Sequence, residues 1–253
     1  MVTFLQTHQM IFMVFSFITG TAVTSFSCLA AERLPHQLKW RDNPKPDYNI
    51  IYPPSSCNNC GERIKSLYLI PIVGYFLTKG KCPKCNYIIP LRYPALEFIG
   101  GIGCVFILYY FGFDSKGIIA AVLYLVLIFL ALIDIYEHWL PAIVTYPVFW
   151  IGLIFSPFEY ISEIRVAGAA VSFFVMYMSM IITGFIKKED VFAGGDVALV
   201  TAGGAWIGLY KVPEFILFIA VIFILYALPM RLKGLKYAPM GPALAIGLMV
   251  CLF

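Results

Sequence analysis

The sequence predicts an all-α polytopic membrane protein of about eight transmembrane helices, carrying one small cytoplasmic zinc-knuckle domain. Three observations predict it. Of 253 residues, 61% are hydrophobic and only 13% charged. That is more apolar surface than a water-soluble domain of this size can bury, so lipid must be the solvent for much of the chain. Apolar runs of roughly spanning length recur along the sequence. Four of the seven cysteines fall as two close pairs inside the one long polar segment.

The apolar runs lie near 10–31, 95–112, 117–135, 141–157, 164–186, 196–209, 212–230 and 238–253. A helix needs roughly 20 apolar residues to cross the hydrocarbon core, fewer if it is packed inside a bundle. The sixth run is the weakest of the eight. Met1 to Gln9 lacks the positive n-region of a cleavable signal, so the run that follows reads as a retained anchor. The connections are short except for 32–94, which opens with Arg33-Leu34-Pro35. It carries Pro44, Pro46, Pro53 and Pro54, so its first half is expected to be irregular. The organisation predicted is a first transmembrane helix in 1–31, a cytoplasmic zinc-binding domain in 32–94 and a multi-helix transmembrane domain in 95–253. No period of 20–50 residues repeats, so there is no solenoid.

Lysine and arginine set the orientation. With eight spans and the N-terminus outside, the inside segments are 32–94, 136–140, 187–195 and 231–237. These hold 15 of the 18 Lys+Arg, leaving Lys116, Arg165 and Lys211 outside. The N-terminus is thus placed in the periplasm, and the 32–94 domain in the cytoplasm, where thiols stay reduced. No basic arm or stripe points to nucleic acid.

Cys57-Asn-Asn-Cys60 and Cys82-Pro-Lys-Cys85 are separated by 21 residues. Four thiolates at such spacing suit tetrahedral zinc, with each close pair wrapping one side of the ion. The zinc would be structural, because no position is left for water. Gly61 and Asn86 follow the two pairs, where tight turns need residues that tolerate positive φ. Lys65, Lys79, Lys81 and Lys84 partly offset the thiolate charge. Two disulfides and a Cys-x-x-Cys redox site are the alternative readings. Cys28, Cys104 and Cys251 sit alone in apolar runs and read as small packed hydrophobes.

A carboxylate in a membrane helix is costly and needs a reason. Asp134 ends the run Leu123–Ile133, and Asp196 opens a run after Gly194-Gly195. In the topology above both lie near the cytoplasmic face, at one membrane depth. Two carboxylates on neighbouring helices can share a proton, one polarising water while the other donates. Gly194 and Gly195, lacking Cβ atoms, let a substrate backbone approach. Each aspartate also has a plainer reading as a helix-end residue, better suited to Asp196 at a helix start than to Asp134 at a helix end. An ion or proton relay in a transporter is the other functional reading. Glu97 sits just inside the second span, within reach in sequence of Arg92. His36 and His138 read as ordinary interfacial residues.

Together these residues resemble the type IV prepilin peptidase family over nearly the whole chain. The matching segments, in order, are Thr24–Cys28 with Arg33-Leu34-Pro35, and the cysteine box with Ile70-Pro71-Ile72 and Lys79-Gly80-Lys81-Cys82. Arg92–Glu97, Ile133-Asp134 with Leu140-Pro141, Gly194-Gly195-Asp196 with Gly203–Gly208, and Met240-Gly241-Pro242 follow. The resemblance implies an aspartyl protease domain in 95–253 with Asp134 and Asp196 as the catalytic pair. It implies a bacterial inner-membrane enzyme that cleaves prepilins or pseudopilins after a glycine. It further implies N-methylation of the new terminus with S-adenosylmethionine, for which Glu97 is the candidate residue. No Gly-rich nucleotide loop is present, so a methyltransferase site here would differ from the soluble kind.

Three departures stand out. The family's Gly-x-Gly-Asp has Ala193 in place of its first glycine. Its Leu-Pro-Asp has Ala142 in place of the acid, which leaves Asp134 as the one acid of that motif. Its opening Gly and Asn are Thr24 and Cys28. A related intramembrane aspartyl protease with another substrate and no methyltransferase activity, and a non-enzymatic assembly factor, are the rival classes.

Overall fold

The structure is a computed structural model that describes residues 2–41, 43–44, 48–188, 192–235 and 237–253. Lys45, Pro46 and Lys236, used in the sequence reading, lie outside the described residues. Nine α-helices are present among the described residues: α1 (Val2–Gln37), α2 (Val73–Leu77), α3 (Arg92–Phe111), α4 (Ser115–Glu137), α5 (Ala142–Phe155), α6 (Ser162–Lys187), α7 (Gly194–Ile207), α8 (Val212–Leu232) and α9 (Gly241–Leu252). There is no named strand among these residues, only two isolated antiparallel bridges. Each predicted apolar run has its helix. Five of them are long and apolar enough to cross a membrane: Gln9–Gln37, Arg92–Phe111, Ser115–Glu137, Ser162–Lys187 and Leu209–Leu232. Helices α5, α7 and α9 are shorter, at 14, 14 and 12 residues.

The chain divides into two compact units, Met1–Phe129 and Leu130–Phe253, with α4 running from one into the other. In the first unit α1 packs along α3, with Phe17 edge-on to Phe98. Tyr124 on α4 donates its hydroxyl to the Ile99 carbonyl of α3 at 2.8 Å. The expected irregular opening at Arg33-Leu34-Pro35 is corrected: α1 stays helical to Gln37. Two features hold that last turn in spite of the proline. Backbone bonds run from Leu38 to Leu34 and from Trp40 to Pro35. The buried Arg33 guanidinium donates to the carbonyls of Asn49, Ile50 and Pro53, at 3.2, 3.4 and 2.6 Å. His36 is likewise buried, with its ring edge-on to Tyr48 and Nε2 2.9 Å from Arg41.

In the second unit α7 is the core. It packs against α5, α6, α8 and α9, and its residues from Ala202 to Ile207 are all buried. A short helix can hold this place because its flank is glycine. A Cβ built at Gly204 would lie 2.3 Å from both the Gly168 carbonyl and Ser172 Oγ of α6. Polar groups fix the register against α5: Trp206 Nε1 donates to the Val148 carbonyl at 2.9 Å, and Ser156 Oγ to the Trp206 carbonyl at 2.6 Å.

Gly204→Val is therefore expected to force α6 and α7 apart, at a cost of about 2–3 kcal/mol or more from overpacking. A thermal melt of the purified protein in detergent should show a clearly lowered midpoint. An unchanged midpoint would contradict the close approach of these helices.

Candidate active site

Asp134 lies in the last turn of α4 and is 3% exposed. The C-terminal dipole of its own helix is unfavourable to an anion there. A second helix supplies what α4 withholds. The N–H of Gly241, the first residue of α9, donates to Asp134 Oδ2 at 2.5 Å, and the Met240 N–H also bonds to this carboxylate. A helix N-terminus is a ready anion site because its first N–H groups have no partner of their own. Pro242 in the first turn loses nothing by lacking an N–H. The approach is tight, with an imagined Cβ at Gly241 falling 2.7 Å from Asp134 Cβ.

Asp196 stands in the first turn of α7, half-buried, where the dipole of its own helix favours it. The charges of Asp134 and Asp196 repel one another across the site. The connection after α4 helps bring them there. His138 takes a left-handed conformation (φ 51°) that ends the helix, and Leu140 then packs on the residue preceding Asp196. A Cβ at Gly195 would sit 2.7 Å from the Leu140 carbonyl. Gly195 is thus required by the protein's own packing. At Gly194 the space is open, the nearest atom being Phe192 at 3.6 Å.

Two neighbours of the pair were not found by sequence reasoning. Tyr226 of α8 lies within electrostatic reach of both aspartates, and its hydroxyl donates to the Pro239 carbonyl, on the loop that delivers Gly241. The exposed His138 acts on Asp134 through charge. A lone tyrosine in an apolar run carries no signal by itself.

The four paired cysteines come together in the first unit. Their Sγ atoms all lie within 4.8 Å of one another, with Cys57 to Cys85 at 3.7 Å and Cys60 to Cys82 at 3.9 Å. Tetrahedral zinc with Zn–S bonds of about 2.3 Å needs sulfur atoms about 3.8 Å apart, so the donor set fits that ion. Each pair is a knuckle of one design. Cys57 N–H donates to Glu62 and Gly61 N–H returns to Cys57; Cys82 N–H donates to Tyr87 and Asn86 N–H returns to Cys82. Gly61 (φ 69°) and Asn86 (φ 57°) take the left-handed conformations these turns require. The backbone N–H of Tyr87 and the Asn59 amide hold the Cys85 thiol down at about 6. The N–H groups of Cys60 and Asn59 lower the Cys57 thiol in the same way. Both therefore favour the thiolate that a metal needs. Lys84 pairs with Glu62 and links the two knuckles.

Glu97 lies on α3. Its Oε2 accepts the Ile72 N–H at 2.6 Å, while Arg92 lies 4.0 Å from Glu32. Cys28, Cys104 and Cys251 are all buried, as expected of packed thiols.

Two family models match the chain: the bacterial peptidase A24 N-terminal domain over residues 18–111, and the type IV leader peptidase family over 121–228. The chain is 30% identical to a prepilin leader peptidase/N-methyltransferase of Vibrio cholerae over 252 residues, covering 97% of this chain and 96% of that protein. The chain belongs to the type IV leader peptidase family. Its similarity to a protein of the same name from Pseudomonas aeruginosa is 28% over 262 residues, with 96% and 90% covered. A type 4 prepilin-like proteins leader peptide-processing enzyme of Escherichia coli is 30% identical over 206 residues, with 79% and 75% covered. No solved structure gives a significant match.

The leader peptidase pattern departs here at Ala193, and the backbone accommodates it. Ala193 is the N-cap of α7 with φ −111°, an extended conformation open to any residue. Ala142 begins the first turn of α5, after Pro141.

Elemental analysis of the purified protein should find one zinc per chain. Changing Cys57, Cys60, Cys82 or Cys85 to Ser should abolish it and make the knuckles sensitive to protease, since binding energy of a structural zinc is folding energy. A metal-free preparation whose knuckles resist protease as well as wild type would contradict this assignment.

Proposed function

We propose that this chain cleaves the leader from type IV prepilins or pseudopilins after a glycine, with Asp134 and Asp196 as a shared-proton dyad. We propose too that it N-methylates the new terminus using S-adenosylmethionine. One observation supports the first half: in a member of the leader peptidase family, the turn that follows Asp134 packs through Leu140 on Gly195, the residue that precedes Asp196.

The chemistry asks little more of the pair. Together the two carboxyls hold one proton, which belongs to the dyad rather than to either residue. The charged member takes a proton from water as its oxygen adds to the scissile carbonyl, and the protonated member gives its proton to the carbonyl oxygen. As the tetrahedral centre collapses the C–N bond breaks. One hydroxyl of the tetrahedral centre returns its proton to the charged carboxylate as the carbonyl re-forms, and the leaving amine takes the proton of the other carboxyl, so the dyad ends with the one proton it began with. Asp134 is anchored by the α9 N-terminus, while the more exposed Asp196 meets the substrate. Gly194, with open space beside it, admits an extended backbone.

The excess of lysine and arginine in alternate segments supports eight spans across the bacterial inner membrane. In this arrangement α5, α7 and α9 span as short helices within the bundle, with the zinc knuckle and the dyad at the cytoplasmic face. A prepilin presents a polar leader followed by an apolar helix, so its scissile bond sits naturally at that interface. The four cysteines would hold a structural zinc, which orders the knuckle and takes no part in hydrolysis.

Incubation with purified prepilin, followed by mass spectrometry of the product, tests both halves at once. The expected product ends its leader at a glycine, and its new N-terminus is heavier by one methyl group when S-adenosylmethionine is added. An intact prepilin would refute the peptidase reading. A cleaved product without the added methyl favours the related protease that lacks methyltransferase activity.

A further inference from the structure

Residues 65–81 belong to the long polar segment between α1 and α3, yet from Ser66 to Thr78 this stretch carries no charge. Nor does it hide its apolar side chains. The 3₁₀ turn Ser66–Leu69 buries none of its residues, and α2 buries only Gly74. Leu67, Leu69, Val73, Phe76 and Leu77 are 46–71% exposed, as open as Phe98, Ile102 and Phe106 on the spanning helix α3. A contiguous apolar surface of this kind marks an interaction face. Three observations say what covers it. The first is depth. Glu97 accepts the Ile72 N–H at 2.6 Å, and it stands five residues after Arg92, about 7.5 Å along α3. This bond holds the start of α2 level with the second turn of a helix that can cross a membrane. The second is the backbone. The first N–H groups of a helix have no partner of their own, and away from water the chain itself must supply one. Ile72 gives its N–H to Glu97, Val73 to Pro71 and Gly74 to Ile70, while Pro71 has none to give. Ile72 is held at φ 62°, a conformation that a β-branched residue keeps only where its surroundings impose it. The third is charge. The exposed Lys65, Lys79 and Lys81 bracket the apolar stretch.

We propose that residues 65–81 lie in the membrane–water interface, with Leu67, Leu69, Val73, Phe76 and Leu77 among the outer acyl chains and Lys65, Lys79 and Lys81 at anionic headgroups. Interfacial segments sink their apolar face about 5–10 Å past the headgroups, which is the depth at which Glu97 holds Ile72 if Arg92 marks the headgroup end of α3. Lysine side chains reach back to the surface along apolar stems, and anionic lipid attracts them there. Glu97 is the tether that joins this segment to α3. Cys82 follows Lys81 directly, so the second cysteine pair is held against the membrane rather than free in water. The leaflet is the cytoplasmic one in the orientation given under the proposed function; the interfacial position does not depend on that orientation or on the peptidase reading.

The test uses the full-length protein in nanodiscs of phosphatidylcholine, with and without phosphatidylglycerol. A fluorescent amino acid is placed at position 76 by codon suppression, and in separate proteins at position 106 on α3 and at the exposed position 58 in the knuckle. Each is quenched by acrylamide from the water and by lipid brominated near the carbonyl end or near the tail end of its acyl chains. Thermal melts check that each protein is folded. Position 76 should lose most of the acrylamide quenching seen at position 58, and shallow bromine should quench it several times more strongly than deep bromine. Phosphatidylglycerol should strengthen the shallow quenching, and the combined Lys65→Gln, Lys79→Gln and Lys81→Gln variant should lose that gain. Acrylamide quenching at position 76 equal to that at position 58, with no effect of brominated lipid, would place the segment in water and overturn the proposal. Protection from acrylamide without quenching by lipid would also overturn it, because a second copy or another protein would then cover the face. Shallow quenching that ignores phosphatidylglycerol would overturn the role of the lysines.

Discussion

An anion in an apolar helix must find its counter-dipole somewhere, and in this protein Asp134 finds it at the start of α9. The bonds from Gly241 and Met240 to that carboxylate reach across more than a hundred residues of chain. Much of the second unit is arranged so that they form. The loop before α9 must come close, and Tyr226 holds it by the Pro239 carbonyl. Residue 241 must be glycine, because a side chain there would strike Asp134 itself. Asp196 solves the same problem by standing at the start of its own helix. Both acids therefore rest on helix N-termini, one on its own and one borrowed.

Bringing the two acids together is a packing problem, solved with small residues. Helix α7 is too short to act as an ordinary span, and it is wrapped by four others. Its glycine flank lets α6 lie against it at backbone distance. The link from α4 to α5 then lays Leu140 over Gly195, so the residues following one aspartate pack on the residue preceding the other. The Leu-Pro and Gly-Gly-Asp segments, seven and two residues from their acids at most, make one contact surface. Their joint presence in the sequence has a structural reason as well as a chemical one.

Much of this was legible in the sequence wherever a cost had to be met locally. A carboxylate in an apolar run and four cysteines in two pairs are expensive or improbable without a purpose, and each marked its site. The left-handed turns at Gly61 and Asn86 followed from the knuckle spacing. What depends on distant partners was not legible. Nothing near Tyr226 announces the aspartates, and nothing near Ile72 announces Glu97. Gly195 was read as room for substrate, but Leu140 fills that space. Proline signals misled at Pro35, where Arg33 and its three carbonyl partners keep the helix going. The eight apolar runs became eight helices, yet only five have spanning length, because hydropathy reports solvent and not how a short helix is shielded by its neighbours.

The central claim is that Asp134 and Asp196 act as one catalytic unit. Single-turnover cleavage of purified prepilin by Asp134→Asn, Asp196→Asn and the double variant tests it most directly. Groups that share one proton fail together, so each single change should lower the rate by at least about a thousandfold, and the double variant should be no slower than the worse single. Losses that multiply in the double variant, or substantial turnover in either single, would contradict a shared site.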